Sequence, residues 1–413
     1  MGRRKKNKLN KPKTIFLSIV AMILGIAVGF SVNTFTGLPD SYQIPGVVQG
    51  TQNASFTLGE INAEVINSSE LSVHFLELGN KHTGDCTYIR VANGESNVDI
   101  LIDAGSKASS IPTIKSYVDQ YLTDGILDYV VVTHAHEDHY ACFATNATTE
   151  SLFDIYKVGT IIEFAQTNKT LSNKMYANYV REREEERTSG ATWFTALDCI
   201  NGATDEKTGN VASKVFELGD STGVTMTILN HKYYTEEAES ENDYSVCLLI
   251  SQEGDSDEKD KHYLFTGDLE KEGEESLVSA EMANNLPQVD VYKAGHHGSK
   301  TSSSMELLNV IRPKAVCVCC CAGSSQYTSK LENQFPTQIF INNVSKFTEN
   351  VFVTSLCVNY DEGKFESFNG NIVICANKNE DNVFQFSNNA TKLKDTEWFK
   401  TNRTIPETWQ EAS

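Results

Sequence analysis

Tyr129-Val-Val-Val-Thr-His-Ala-His-Glu-Asp-His139 is the stretch from which the fold of this chain is read. Tyr129 to Thr133 is apolar and β-branched, which predicts a buried strand, and it runs straight into three histidines and two carboxylates within six residues. Neutral imidazole from His134, His136 and His139, with oxygen from Glu137 and Asp138, is a mixed N/O set that suits zinc or another borderline first-row metal. Alternation sends His134 and His136 the same way, and the turn after them can carry Asp138 and His139 to a second ion. The bland alternative is a solvated polar loop after a strand, and such loops seldom collect three histidines at this spacing.

Spelled His-x-His-x-Asp-His, the stretch resembles the signature of the metallo-β-lactamase superfamily. Phe265-Thr-Gly-Asp268-Leu-Glu looks like the strand end that delivers that superfamily's metal-bridging aspartate. Lys293-Ala-Gly-His296-His297-Gly-Ser-Lys-Thr-Ser resembles the His-His-Gly-Ser segment of one branch, the hydrolase domain of ComEC-type competence proteins and its stand-alone relatives. Val73-His-Phe-Leu-Glu-Leu-Gly, Thr83-Gly-Asp-Cys and Ile100-Leu-Ile-Asp-Ala-Gly105 read like the opening pair of strands of that branch.

The resemblance implies an αββα sandwich holding one or two divalent ions, zinc or else manganese. It makes His134 and His136 ligands of one metal, Asp138 and His139 ligands of the second, and Asp268 the bridge. Ions about 3.5–4 Å apart lower the pKa of a shared water toward 7, so hydroxide serves as nucleophile and Asp138 can also orient it. Of His296 and His297, the first after the strand end is taken as the ligand that completes the second site. His297 is then left facing substrate as acid or hydrogen-bond donor. The superfamily often carries a further ligand histidine between the first motif and the bridging aspartate. His231 and His262 lie in that interval, and His231, at a strand-to-loop junction, is the candidate. Asn242-Asp243-Tyr-Ser matches an Asn-Asp pair of the competence-like branch.

After the His-His-Gly turn, Ser303-x-x-Glu306 has the form of a helix-capping box. Free N–H groups there, with Ser299, Lys300 and Ser302, would offer a cradle for an anionic phosphate; the alternative is an ordinary helix cap.

At 413 residues the chain can hold one large domain or two ordinary ones, and its formal net charge is −20. Seven of its bases, Arg3, Arg4, Lys5, Lys6, Lys8, Lys11 and Lys13, stand in an acid-free stretch at the amino end. The rest is more acidic still, the wrong sign for holding long nucleic acid by bulk electrostatics. The ten cysteines include no paired Cys-x-x-Cys motifs, and Cys317-Val-Cys-Cys-Cys321 fits a buried strand with cysteine as a small hydrophobe.

Residues 1–13 read as a basic cytoplasmic tail and 14–32, nineteen residues without charge, as a transmembrane anchor. The basic flank places the amino end inside, giving a single-pass protein of the cell membrane with its catalytic domain outside. Ala27-Val-Gly29 offers the alternative of a cleaved signal and a secreted product. Residues 33–70 read as a polar linker, 71–376 as the hydrolase domain and 377–413 as a packing extension, in which Phe384-Gln-Phe adds an edge strand. Strands are expected at 71–78, 87–91, 99–102, 129–133 and 160–164. A second set is expected at 214–218, 224–229, 245–250, 262–266, 289–294, 314–321, 351–358 and 371–376. Helices are expected at 111–122, 171–187 and 304–311, and the charge run from Arg181 to Arg187 reads as a solvated face.

The reading is a surface-tethered metal-dependent phosphodiesterase acting on nucleic acid or a cell-envelope phosphodiester. The alternatives are an amide, lactone or β-lactam hydrolase and a non-catalytic surface module. No protein partner is implied.

Overall fold

Strands form where the apolar runs stand, and they sort into two sheets in chain order. The first sheet opens with β1 (Thr57–Glu60), β2 (Leu71–Phe75), β3 (Thr87–Asn93), β4 (Ser96–Ile102), β5 (Ile126–Val132), β6 (Lys157–Glu163) and β7 (Thr192–Thr195). The second comprises β8 (Val215–Glu217), β9 (Val224–Leu229), β10 (Cys247–Gln252), β11 (Lys261–Phe265), β12 (Val291–Lys293), β13 (Ala315–Ala322), β14 (Val351–Asn359) and β15 (Lys364–Ser367). The chain then returns to the first sheet through β16 (Ile372–Ala376) and β17 (Val383–Phe386). The spatial orders are β1-β17-β16-β2-β3-β4-β5-β6-β7 and β15-β14-β13-β12-β11-β10-β9-β8. This computed structural model describes residues 56–410 apart from 95, 147 and 283–285. The basic tail, the 14–32 segment and the linker up to residue 55 therefore lie outside the described residues. Among those described, no helix is long and apolar enough to cross a membrane.

The layering follows from alternation along the strands. In β2, Phe75 meets Phe265 of the second sheet with ring centroids 5.9 Å apart, while His74 turns the other way and bonds Tyr117 of the helix Ile111–Val118 at 2.8 Å. In β13, Cys317 and Cys319 join the core between the sheets, whereas Val316, Val318 and Cys320 pack under Leu307, Leu308, Phe340 and Ile341 of two outer helices. Both faces of β13 are thus covered, which is why it reads as one unbroken apolar run. The result is two facing sheets with helices outside each.

Several elements depart from the sequence reading. The segment read as linker carries β1, which pairs in parallel with β17, and the helix Ala63–Ser68, capped by Asn62. Because β1 lies beyond it, β17 is not an edge. The helix Lys174–Ser189 does not present its charges to water alone. Glu182 is buried, Arg183 is paired with Glu163, and the Arg183 and Arg187 guanidinium groups lie 5.0 and 4.5 Å over the Trp193 ring. Strand β7, which contributes that tryptophan, was not expected, nor was the acidic helix Lys271–Glu281.

Candidate metal centre

Four strand ends converge to make the site. β5 stops at Val132, the peptide N–H of Thr133 donates to Asp103 Oδ1 at 2.7 Å, and the short helix Glu137–Tyr140 carries Asp138 and His139 back over the sheet end. Asp103 itself, just past β4, takes a left-handed φ of 57°. Two residues on, the chain passes so close to the motif that a Cβ on Gly105 would fall 1.8 Å from the Asp138 carbonyl oxygen, which only glycine avoids. β11 delivers Asp268, whose N–H donates to Ser245 Oγ at 3.0 Å. β12 delivers His296 and His297, both left-handed at φ 46° and 55°, a conformation costing about 1–3 kcal/mol each and concentrated at functional sites.

The side chains meet around one oxygen of Asp268. Its Oδ2 lies 3.2 Å from His139 Nε2, 3.3 Å from His297 Nε2, 3.8 Å from His296 Nε2 and 4.0 Å from His134 Nε2. His134 Nε2 is 3.0 Å from His136 Nδ1, and His297 Nε2 is 3.5 Å from Asp138 Oδ2. The far nitrogens are already committed. His139 Nδ1 donates to Asp103 Oδ2 at 2.8 Å, and His297 Nδ1 donates to the Cys319 carbonyl at 2.9 Å. Both Nε2 atoms are thereby left facing inward, where each offers a lone pair once its proton is displaced.

Electrostatics point to a cation. Burial alone would lower His139 and His297, yet Asp268, helped by Asp103 and Asp85 respectively, lifts both imidazoles well above their ordinary value. Burial pushes the Asp268 and Asp138 carboxyls up, but those same imidazoles hold both well below the usual carboxylate range. Burial keeps His134 and His136 low. Protons thus balance the carboxylates here, and a divalent ion would do so while using the nitrogen lone pairs. The donor set fits one. His139 Nε2, His297 Nε2, Asp268 Oδ1 and Asp85 Oδ1 are buried without a hydrogen-bond partner, and ligand atoms of these same four residues lie within 4.8 Å of one another. Asp268, with Asp138 and His136, lines a cleft of about 460 Å³ whose other walls include Lys107, Asn242, His296, Tyr327 and Phe335. The Tyr327 hydroxyl donates to Asp138 Oδ2.

The structure therefore brings together His134, His136, Asp138, His139, Asp268 and His297, and of the two adjacent histidines it sets His297 deeper in the cluster. His297 is buried in the cluster. His296, its side chain 20% exposed, stands at the rim with Nδ1 3.0 Å from Thr301 Oγ1. Strand alternation does not apply to two left-handed residues in a turn, so it could not choose between them. His231 is not brought in: its Nε2 bonds the Ser245 carbonyl at 2.9 Å, its ring packs 4.1 Å from that of Tyr234, and burial lowers it to about 4.

The expected phosphate cradle is already filled. The N–H groups of Ser303 and Ser304 donate to the two carboxylate oxygens of buried Glu274, both at 2.7 Å, and the helix cap is Ser304 rather than Ser303. Ser302 Oγ donates to the Leu269 carbonyl at 2.7 Å, Ser299 Oγ bonds Thr301 Oγ1 at 3.0 Å, and Lys300 Nζ donates to Asn333 Oδ1 at 2.9 Å.

Sequence reasoning passed over Asp85, Asp103, Lys293 and Tyr327 as members of the site. Asp85 and Asp103 each stand next to or near a glycine in segments read only as strands, and an acid at a strand end beside the histidine strand was the available signal. Tyr327 carried none.

Residues 79–145 match the family described as the Metallo-beta-lactamase superfamily. Over 81 residues the chain is 37% identical to ComE operon protein 3 of Bacillus subtilis (strain 168), covering 19% of this chain and 9% of that protein. It is 42% identical over 81 residues to Competence protein ComA of Neisseria gonorrhoeae, covering 20% and 10%. The chain thus spans about a tenth of the length of these curated relatives. A long form RNase Z from yeast aligns with a TM-score of 0.36 and 11% identity over 74% of this chain and 42% of that one. The family match takes in Asp85, Asp103 and the whole His134–His139 motif and stops short of Asp268 and His297.

Proposed function

We propose that this chain is a metal-dependent hydrolase that cleaves phosphodiesters, in nucleic acid or in a cell-envelope polymer. The observation that carries the reading is the set of buried, unpartnered atoms on His139, His297 and Asp268, the last of which also lines an open cleft. A bound zinc or manganese ion, or a pair, would supply Lewis acidity and a water of lowered pKa. His134, His136, Asp138, His139, Asp268 and His297 would hold it. Tyr327, by donating to Asp138, fixes that carboxylate, and Asp103 does the same for His139. His296 and Asn242 stand at the rim, where their N–H groups can receive substrate oxygens, with Lys107 beside them in ion pair with Glu137 at 2.6 Å. This grip replaces the Ser299–Ser303 loop. A phosphodiester, with several charged oxygens, uses such a donor-rich rim more fully than a β-lactam with its single oxyanion.

The test is turnover of bis(p-nitrophenyl) phosphate against a chromogenic cephalosporin by the full chain, with His134→Ala as control. Metal-dependent phosphodiester cleavage lost in the variant is expected. Cephalosporin turnover alone would move the assignment to the amide and lactone class, and a folded protein without metal above background would end it. The proposal includes tethering through residues 14–32 with the catalytic domain outside the cell, so protease added to intact cells is expected to remove that domain.

A further inference from the structure

Beneath the ligand cluster, Lys293 and Asp85 form a buried ion pair with side chains only 4% and 5% exposed. Lys293 closes β12 two residues before the His-His turn, and Asp85 lies between β2 and β3. The pair touches two of the proposed ligands from behind. The ammonium donates to the Gly267 carbonyl at 3.4 Å and stands 3.8 Å from Asp268 Oδ1. Asp85 Oδ1 is 3.2 Å from His297 Nδ1, while its backbone N–H donates to the Asp138 carbonyl at 3.0 Å. A closed loop results, from Asp268 Oδ1 through Lys293 and Asp85 to His297 and back to Asp268 Oδ2.

We infer that the Asp85–Lys293 pair is a positioning element of the metal centre, and that Asp85 is not itself a ligand. The inference rests on the reading of the cluster as a metal site. Asp85 lies within ligand distance of His139, Asp268 and His297, so composition alone would count it among the ligands. Its contact with a buried ammonium argues against that, because a divalent ion on the same carboxylate would sit against a fixed positive charge in a low-dielectric interior. Two orienting tasks remain. The Cys319 carbonyl accepts the proton of His297 Nδ1, and the Asp85 charge 3.2 Å away favours the proton on that nitrogen, which leaves Nε2 to the ion. Lys293 holds Asp268 so that Oδ2 points at the imidazoles. Outer partners of this kind change metal affinity by about 10- to 100-fold when removed.

The experiment compares zinc affinity, by competition with a chromophoric chelator, in the full chain and in the neutral double variant Asp85→Asn/Lys293→Gln, with chelator-treated unfolding midpoints measured alongside. Removing both charges avoids leaving either one buried alone. Zinc binding about 10- to 100-fold weaker in a double variant whose metal-free form still unfolds in one cooperative transition is expected. If the double variant does not fold, Asp85→Asn alone is measured. It keeps an acceptor for His297 but frees the ammonium to turn on Asp268, so it too is expected to bind zinc more weakly. Affinity within threefold of wild type in whichever variant folds overturns the inference, and so does failure of both to fold, which would make the pair purely structural. A wild-type chain that binds no zinc instead overturns the metal reading on which this rests.

Discussion

Asp103→Asn is the sharpest test of how the centre is held, because it changes a charge and a donor without changing shape. The wild-type carboxylate accepts from the Thr133 N–H at 2.7 Å, from Thr133 Oγ1 at 2.8 Å and from His139 Nδ1 at 2.8 Å, and it is 1% exposed. In the variant the amide oxygen keeps the backbone bond and the NH2 group turns to His139 Nδ1. His139 must then accept at Nδ1 and carry its proton on Nε2, 3.2 Å from Asp268 Oδ2, where the ion belongs. Binding an ion forces the proton back to Nδ1, against the amide NH2. That leaves a buried donor without an acceptor, at about 1–3 kcal/mol. Since about 1.4 kcal/mol is tenfold in a binding constant, zinc affinity should fall by roughly 5- to 150-fold. The assay is chelator competition on a variant first shown to be folded by circular dichroism. Wild-type affinity in a folded Asp103→Asn protein would refute the claim that Asp103 sets the His139 tautomer.

His297→Ala is expected to lower bound metal per chain, whereas His296→Ala should leave metal content unchanged and reduce turnover; equal metal loss in both would restore the expectation that His296 is the ligand. Glu274→Ala strips the acceptor from two buried N–H groups and should destabilise the protein by about 2–5 kcal/mol in denaturant unfolding, while Lys300→Ala should shift stability by no more than about 0.5 kcal/mol. In chelator-treated protein, His139 and His297 have folded values raised above the ordinary 6.5. Their contribution to stability is complete below pH 6.5 and is lost as pH rises through the folded values, at about 1.4 kcal/mol per pH unit for each group. Unfolding midpoints with EDTA should therefore fall from roughly pH 6.5 upward, and zinc should abolish the fall because the ion competes with those protons. A flat profile with EDTA would contradict the proton-for-metal balance.

What was legible in the chain depended on whether the cause lay nearby. β5 and the six residues after it announce themselves, because the alternation, the branched side chains and the metal-binding residue types are all local. β13 is legible for a similar reason, since burial on both faces leaves no polar register to confuse. β1 was not, because Thr57-Leu-Gly-Glu60 has no apolar alternation, and the strand exists through parallel pairing with β17 at the other end of the chain. The Ser303-x-x-Glu306 stretch reads as an open anion site because the carboxylate that fills it comes from Glu274, a helix away.

The same division runs through the metal centre. Ligands are recognisable by type, since few residues can hold a metal. Residues that aim ligands are ordinary aspartates, a lysine and a tyrosine, distinguished only by where strand pairing puts them. Ile102 faces Val131 in the parallel β4–β5 register, and that single pairing sets Asp103 beside Thr133 and within reach of His139. Likewise β12 beside β13 brings the Cys319 carbonyl to His297 Nδ1. Register therefore decides which imidazole nitrogen faces the cluster, with His297 Nδ1 on that carbonyl while His296 Nδ1 meets Thr301 at the rim.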